Sequence, residues 1–300
     1  MTIALDQSAP YEVEEGDVAF ATLEGRDVLA RAYRPKDMPQ APLGALADVH
    51  GGAWARGDRS VGAHHGRGLA ACGLLVVSLD FRQGPEHKHP AAAQDVPAGV
   101  RWVRANAKAL GVDPARAGIL GHSSGGHLAL LVATQPGLDA HTGTPIVRAE
   151  GSLGATAGDD SVAFALALYP VADPLARYRC ALARKNDPTF AEGAARLPAS
   201  SLGYLGDEAA MSGASVTGII DGGRAGALPP VWIARPELDD NVPAAITDAL
   251  VRTYERAGGR IERVRFSGAK HGFIGQPSAE TTKCIADMRD FIGRQLASKP

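Results

Sequence analysis

Short, largely apolar runs recur along this chain between longer stretches in which apolar residues fall at helical spacing. Leu74 to Leu79 and Ala117 to Leu120 lack the alternation of a half-exposed strand, and such runs suit parallel strands covered on both faces. Between them, Ala91 to Leu110 places Val96, Val100, Val103 and Ala107 on one helical face and ends at Gly111, with Asp113-Pro114 just beyond. Ala45 to Val49 reads as a further short strand, and His65 to Cys72 as a helix. Downstream, Val162 to Leu168, Val231 to Ala234 and Ile261 to Phe266 read as strands, with helices over Ala244 to Ala257 and Lys283 to Leu296. Near the start, Val18 to Leu23 and Val28 to Tyr33 flank Glu24-Gly25-Arg26-Asp27 as an antiparallel hairpin, and Pro35, Pro39 and Pro42 mark a loop. Alternating strands and helices of this kind predict an α/β fold built on a doubly wound, mostly parallel sheet.

Two segments break the rhythm. His141 to Asp160 is glycine-rich and is expected to be a mobile loop, whereas Asp173 to Leu228 is long and irregular, with only short helical patterns such as Pro188 to Arg196. The expected organisation is one domain over residues 1–300, with 173–228 inserted as a small cap and 141–160 as the mobile loop.

Composition narrows the function classes. The 300 residues are 45% hydrophobic, enough for a large core, and carry a net charge of -2, which offers no basic field for a phosphate backbone. Nucleic acid is therefore not an expected partner. No segment sustains the roughly 18 apolar residues of a membrane span, and Met1 to Glu15 carries acids where a signal peptide carries bases, so no membrane association is expected. Cys72, Cys180 and Cys284 are odd in number and widely spaced, which argues against a disulfide framework and for a cytoplasmic location. Self-association into a homo-oligomer is left open.

The chemistry centres on Gly121-His122-Ser123-Ser124-Gly125, which lies between an apolar strand and the helix-like run His127 to Thr134. A serine raised on a tight strand-to-helix turn needs small neighbours, and the helix behind it aims amides at an anion formed there. Such a serine needs a base and a carboxylate later in the chain. His271, in Ala269-Lys270-His271-Gly272-Phe273, follows the last strand and is the candidate base. Asp239 is the candidate acid, with Asp240 and Glu237 as rivals, because adjacent side chains point apart and only one can face the histidine. His50-Gly51-Gly52-Ala53-Trp54 supplies close-approaching backbone after a strand, so Gly52, Ala53 and Ser124 are the candidate amide donors to an oxyanion. Trp54 and His122 are candidate pocket residues.

These segments resemble the α/β-hydrolase superfamily over about Ala45 to Gly275, and most closely its hormone-sensitive-lipase-like and carboxylesterase branch. Asp80-Phe81-Arg82-Gln83-Gly84-Pro85-Glu86-His87-Lys88-His89-Pro90 is similar to that branch's Asp-Tyr-Arg…Pro-Glu-His…Pro signature. The resemblance implies a cofactor-free carboxylic ester hydrolase with Ser123 as nucleophile, His271 as base, Asp239 as acid, and an oxyanion hole of Gly52, Ala53 and Ser124. HGGAW and Gly-His-Ser-x-Gly-Gly-His-Leu are also similar to motifs of kynurenine-formamidase-like amidases. A small-molecule ester is the expected substrate, an amide or lactam the alternative, and a non-catalytic small-molecule binder the remaining class.

No metal is expected: the His87, His89 pair and the His64, His65 pair are read as surface residues rather than ligands. The stretch Arg177 to Arg196 sets Arg177, Arg179, Arg184, Lys185 and Arg196 against Asp187 and Glu192. That excess could attract an anionic substrate, although a solvated helical face is the expected reading.

Overall fold

A computed structural model describes residues 10–37 and 42–297. The first nine residues and Pro39 of the proline loop lie outside the described residues. Eight strands run in chain order as β1 (Val13–Leu23), β2 (Arg26–Pro35), β3 (Leu43–Val49), β4 (Leu74–Leu79), β5 (Val112–His122), β6 (Ala165–Leu168), β7 (Val231–Leu238) and β8 (Ile261–Lys270). They form one sheet in the order β1-β2-β4-β3-β5-β6-β7-β8. The hairpin β1-β2 is antiparallel and joins β4 antiparallel, while β4, β3, β5, β6, β7 and β8 run parallel. The helices are α1 (Ala63–Ala70), α2 (Ala91–Ala105), α3 (Ala107–Leu110), α4 (Ser124–Thr134), α5 (Pro174–Ala183), α6 (Ala191–Leu205), α7 (Glu208–Gly213), α8 (Val216–Asp221), α9 (Ala244–Arg256) and α10 (Ala279–Ala297).

Every residue of β3 is buried, which is why its sequence carries no alternation. Ala45, Ala47 and Val49 enter the core on one face with Val96 of α2, Leu128 of α4 and Leu250 of α9. Leu46 enters the core on the other with Leu69 of α1 and Met288 and Ile292 of α10. Helices on both faces thus cover a sheet whose strand residues alternate between two separate apolar layers.

Several boundaries differ from the pattern-based expectation. The run Ala91 to Leu110 is two helices, because Asn106 turns its side-chain amide back to the Trp102 carbonyl (3.0 Å) and across to that of Val147 (3.0 Å). Strand β6 begins at Ala165 rather than Val162, and α10 begins at Ala279, with the Ser278 hydroxyl accepting from Thr281 N–H at 3.1 Å. Residues 173–228 are more regular than their composition implied. Asp173, Asp207 and Ser215 each accept a backbone N–H at the start of α5, α7 and α8, a capping signal legible in Asp173-Pro174 and Asp207-Glu208. In 141–160, Ile146 bridges to Ala21, Val147 to Leu153, and the buried Thr144 hydroxyl donates to Asp95 at 2.6 Å.

Candidate active site

The turn from β5 into α4 holds Ser123 at φ 57°, ψ -120°, a conformation that side-chain-bearing residues rarely adopt. Its neighbours explain the glycine spacing. A Cβ at Gly121 would lie 2.2 Å from the Gly125 carbonyl oxygen, and one at Gly125 would lie 2.0 Å from that of Val49. The backbone of α4 therefore passes so close to β3 and β5 that only glycine fits at both positions.

Strands β7 and β8 carry the partners. The Ser123 hydroxyl is 2.8 Å from His271 Nε2, and His271 Nδ1 is 2.9 Å from Asp239 Oδ2. The other Asp239 oxygen accepts the backbone N–H groups of Asn241 (2.9 Å) and Val242 (2.8 Å), so the carboxylate is held from two sides. The rival acids point elsewhere: Glu237 pairs with Arg265 and accepts from Gly268 N–H at 3.0 Å, and Asp240 is exposed. The edge of Tyr169 packs on the His271 ring at 4.7 Å between centroids. Ser123 is only 8% exposed and opens into a cavity of about 420 Å³ that Gly52, Ala53 and His122 also line.

The loop after β3 is shaped by contacts that the sequence alone did not reveal. Gly52 sits at φ 121°, where a Cβ would lie 1.8 Å from the Arg56 carbonyl, and Ala53 and Trp54 follow at φ 55° and 59°. Among the described residues, the amides of Gly52 and Ala53 make no hydrogen bond. The Ser124 amide opens α4 and has no intrahelical acceptor. The Ser124 hydroxyl instead fixes the loop, accepting Trp54 N–H at 3.1 Å. His50 stacks on Phe81 at 4.2 Å, and the Gly84 amide donates to the Trp54 carbonyl at 2.9 Å, so the Asp80 to Pro90 segment braces the loop from behind.

Trp54 does not line the cavity, contrary to the expectation. It is 1% exposed, stacks on Tyr204 at 5.7 Å, and donates its indole N–H to His127 Nδ1 at 3.3 Å. His127 donates its other ring nitrogen to the Ala214 carbonyl at 2.8 Å, which fixes a neutral tautomer. Burial accordingly holds the His127 pKa down at about 3.

His65 is a second correction, being buried rather than on the surface beside exposed His64. Its Nε2 lies 3.1 Å from Asp48 Oδ2, which also accepts the Ser78 hydroxyl at 2.7 Å. The His65 ring meets His122 edge-on at 5.6 Å, and the Gly51 amide points at His122 at 3.3 Å. Asp48, His65 and His122 bring one potential metal-ligand atom each within 4.8 Å of one another. Burial raises and His65 lowers the Asp48 pKa, with a net fall to about 2, while burial lowers His122 to about 3.

Sequence reasoning also missed Arg177 and Arg196, which it placed on a solvated helical face. Both line the cavity with Ser123. Arg177 is 1% exposed, with its guanidinium 4.9 Å above the Trp54 ring. Its place in a charged helical run hid this, because periodicity does not tell which side of α5 meets a neighbour.

The sequence pattern of a family described as alpha/beta hydrolase fold matches residues 46–275. Esterase LipC of Mycobacterium tuberculosis is 38% identical over 104 residues, covering 34% of this chain and 26% of that protein. Carboxylesterase NlhH of the same organism is 36% identical over 125 residues, 40% of this chain and 37% of that protein. The chain thus spans well under half the length of these curated relatives. A hyperthermophilic esterase from the archaeon Pyrobaculum calidifontis superposes with a TM-score of 0.74 at 25% identity, covering 97% of this chain and 86% of that one.

Proposed function

This chain belongs to the alpha/beta hydrolase fold family, and from that premise we propose that it is a serine hydrolase cleaving small-molecule carboxylic esters. The observation that carries the reading is the unbroken chain from Ser123 Oγ through His271 to Asp239, at 2.8 and 2.9 Å, at the floor of a cavity. The names of the relatives, esterase and carboxylesterase, support it.

In the proposed mechanism, His271 Nε2 takes the hydroxyl proton as Ser123 Oγ attacks the ester carbonyl carbon. Asp239 accepts the Nδ1 proton's hydrogen bond, holds the tautomer, and stabilises the imidazolium. Negative charge grows on the former carbonyl oxygen, where the amides of Gly52, Ala53 and Ser124 receive it. Losing one such donor costs about 3 kcal/mol of barrier. His271 then protonates the departing alkoxide, and a water deprotonated by His271 releases the acid from Ser123. Each step moves one proton through Nε2, so the chemistry needs no group beyond these side chains and amides.

Residues 173–228, which hold four α-helices, are proposed as the cap that shapes substrate choice, and 141–160 as the mobile loop. Thiols at Cys72, Cys180 and Cys284 fit a reducing cytoplasm. The reading is tested by turnover of matched esters, amides and lactams alongside Ser123→Ala. Serine-dependent ester cleavage is the expected result, preferential amide or lactam cleavage makes it an amidase, and inertness toward both the panel and a fluorophosphonate removes the hydrolase reading.

A further inference from the structure

The cavity above Ser123 is lined by three arginines, Arg56, Arg177 and Arg196. Their pairing differs from that of the neighbouring basic residues. Arg179 is matched by Glu208 at 2.6 Å and Arg184 by Asp187 at 2.9 Å, both outside the cavity. Arg177 has no carboxylate within ion-pair distance among the described residues. Its contacts are neutral: the Ser201 hydroxyl at 3.0 Å, the Asn241 side-chain oxygen at 3.5 Å and the face of Trp54. Its Nε is buried without a hydrogen-bond partner, as is that of Arg196. The nearest acid to Arg196 is Glu192, 3.9 Å away and 93% exposed.

Two guanidinium groups so placed repel each other in a partly desolvated space, and burial with the Arg196 charge lowers the Arg177 pKa to about 9. Asp239, whose field reaches Arg177, is already engaged by His271 and two backbone amides. A buried cation without a counter-charge is costly to keep, and the cavity that Arg177 and Arg196 line gives an anion a route to them. A guanidinium fork matches a carboxylate in bidentate geometry.

Building on the ester hydrolase reading, we propose that the substrate is an anionic ester whose free carboxylate is held by Arg177 and Arg196. The cavity of about 420 Å³ accommodates a short molecule of this kind, either a half-ester of a dicarboxylic acid or an O-acylated hydroxy acid. In both, the carboxylate sits on one side of the scissile bond and the arginines orient the carbonyl toward Ser123.

The test compares kcat/KM for monomethyl glutarate against dimethyl glutarate, and for acetoxyacetate against its methyl ester. These pairs place the carboxylate in the acyl and the alcohol part respectively. The expected result is a preference of at least about tenfold for the charged member of one pair, the scale of a hydrogen bond to a charged group. That preference should shrink with added salt and fall toward one in Arg196→Gln and Arg177→Met. Should Arg177→Met not fold, Arg196→Gln with its half-exposed side chain carries the comparison. Binding of glutarate to Ser123→Ala by calorimetry, weakened at least about tenfold in the double variant with Arg196→Gln, supports the proposal without any turnover. Neutral members cleaved as well as both charged ones, or a preference unchanged in the arginine variants, overturns it and leaves the hydrolase reading standing. Loss of all turnover and of fluorophosphonate labelling, with glutarate still bound through Arg196, removes the hydrolase reading instead and keeps the anion site.

Discussion

Replacing Asp239 by Asn keeps the side-chain shape but exchanges one charged acceptor oxygen for an NH2 donor. The carboxylate accepts the amides of Asn241 and Val242 at Oδ1 and faces His271 Nδ1 chiefly with Oδ2 at 2.9 Å, Oδ1 lying 3.1 Å from the same nitrogen. In Asp239→Asn the side-chain oxygen keeps the two backbone donors, since an amide nitrogen cannot accept them, and the NH2 group faces His271 Nδ1. That nitrogen must then become an acceptor, which puts the ring proton on Nε2 and points it at Ser123. A base already carrying its proton cannot take another. The expected fall in kcat is about 10⁴-fold, roughly 5.5 kcal/mol of barrier, as in serine hydrolases of unrelated fold where this swap traps the wrong tautomer. Thermal unfolding should move little, because the loop keeps both backbone contacts. The assay is kcat on a chromogenic short-chain ester, with the melting temperature as folding control. A variant that folds and keeps kcat within about tenfold of the parent refutes the assignment. Asp240→Asn and Glu237→Gln are the internal controls: the first acid is exposed and the second pairs with exposed Arg265, so neither should lower kcat more than about twofold.

Other positions give separate readouts. Gly125→Ala sets a Cβ 2.0 Å from the Val49 carbonyl, and the forced backbone shift should destabilise the protein by about 3 kcal/mol or more in denaturant titration, with kcat lost as well. Ser124→Ala removes the acceptor for Trp54 N–H but keeps the Ser124 amide, so stability should fall by about 1–3 kcal/mol while kcat changes less than about tenfold. His127 is held neutral with its pKa depressed to about 3, so its contribution is complete above the unfolded value near 6.5 and is lost as pH falls toward about 3. Stability measured by denaturant at pH 7, 6 and 5 should therefore drop by about 1.4 kcal/mol per unit below 6.5 more steeply than in His127→Gln, and parallel slopes would refute this.

The groups that meet at Ser123 were legible because their constraints are local. Gly121 and Gly125 are dictated by close backbone passage around a single turn, and the apolar runs of β3 and β4 by burial on both faces. His271 follows from its place after the last strand. The choice of Asp239 over its neighbours rested on pleat geometry, and the bonds to Asn241, Val242 and His271 show how the loop turns that one acid inward. The helices of 173–228 were underestimated because their apolar faces are short, although the caps at Asp173, Asp207 and Ser215 were there to be read.

By itself, then, the sequence determined the strands, most helices outside residues 173–228 and the elbow, each from spacing within one element or turn, and it singled out His271 and Asp239 by their place after the last two strands. Only the tertiary structure decided that Trp54 is buried under Arg177 rather than open to the cavity, that His65 bonds Asp48 in the core, and that Arg177 and Arg196 line the cavity of Ser123, the first without an ion-pair partner among the described residues. These outcomes depend on which face of one element meets another far away in the chain. Packing of whole surfaces sets that choice, and no periodicity within a segment encodes it.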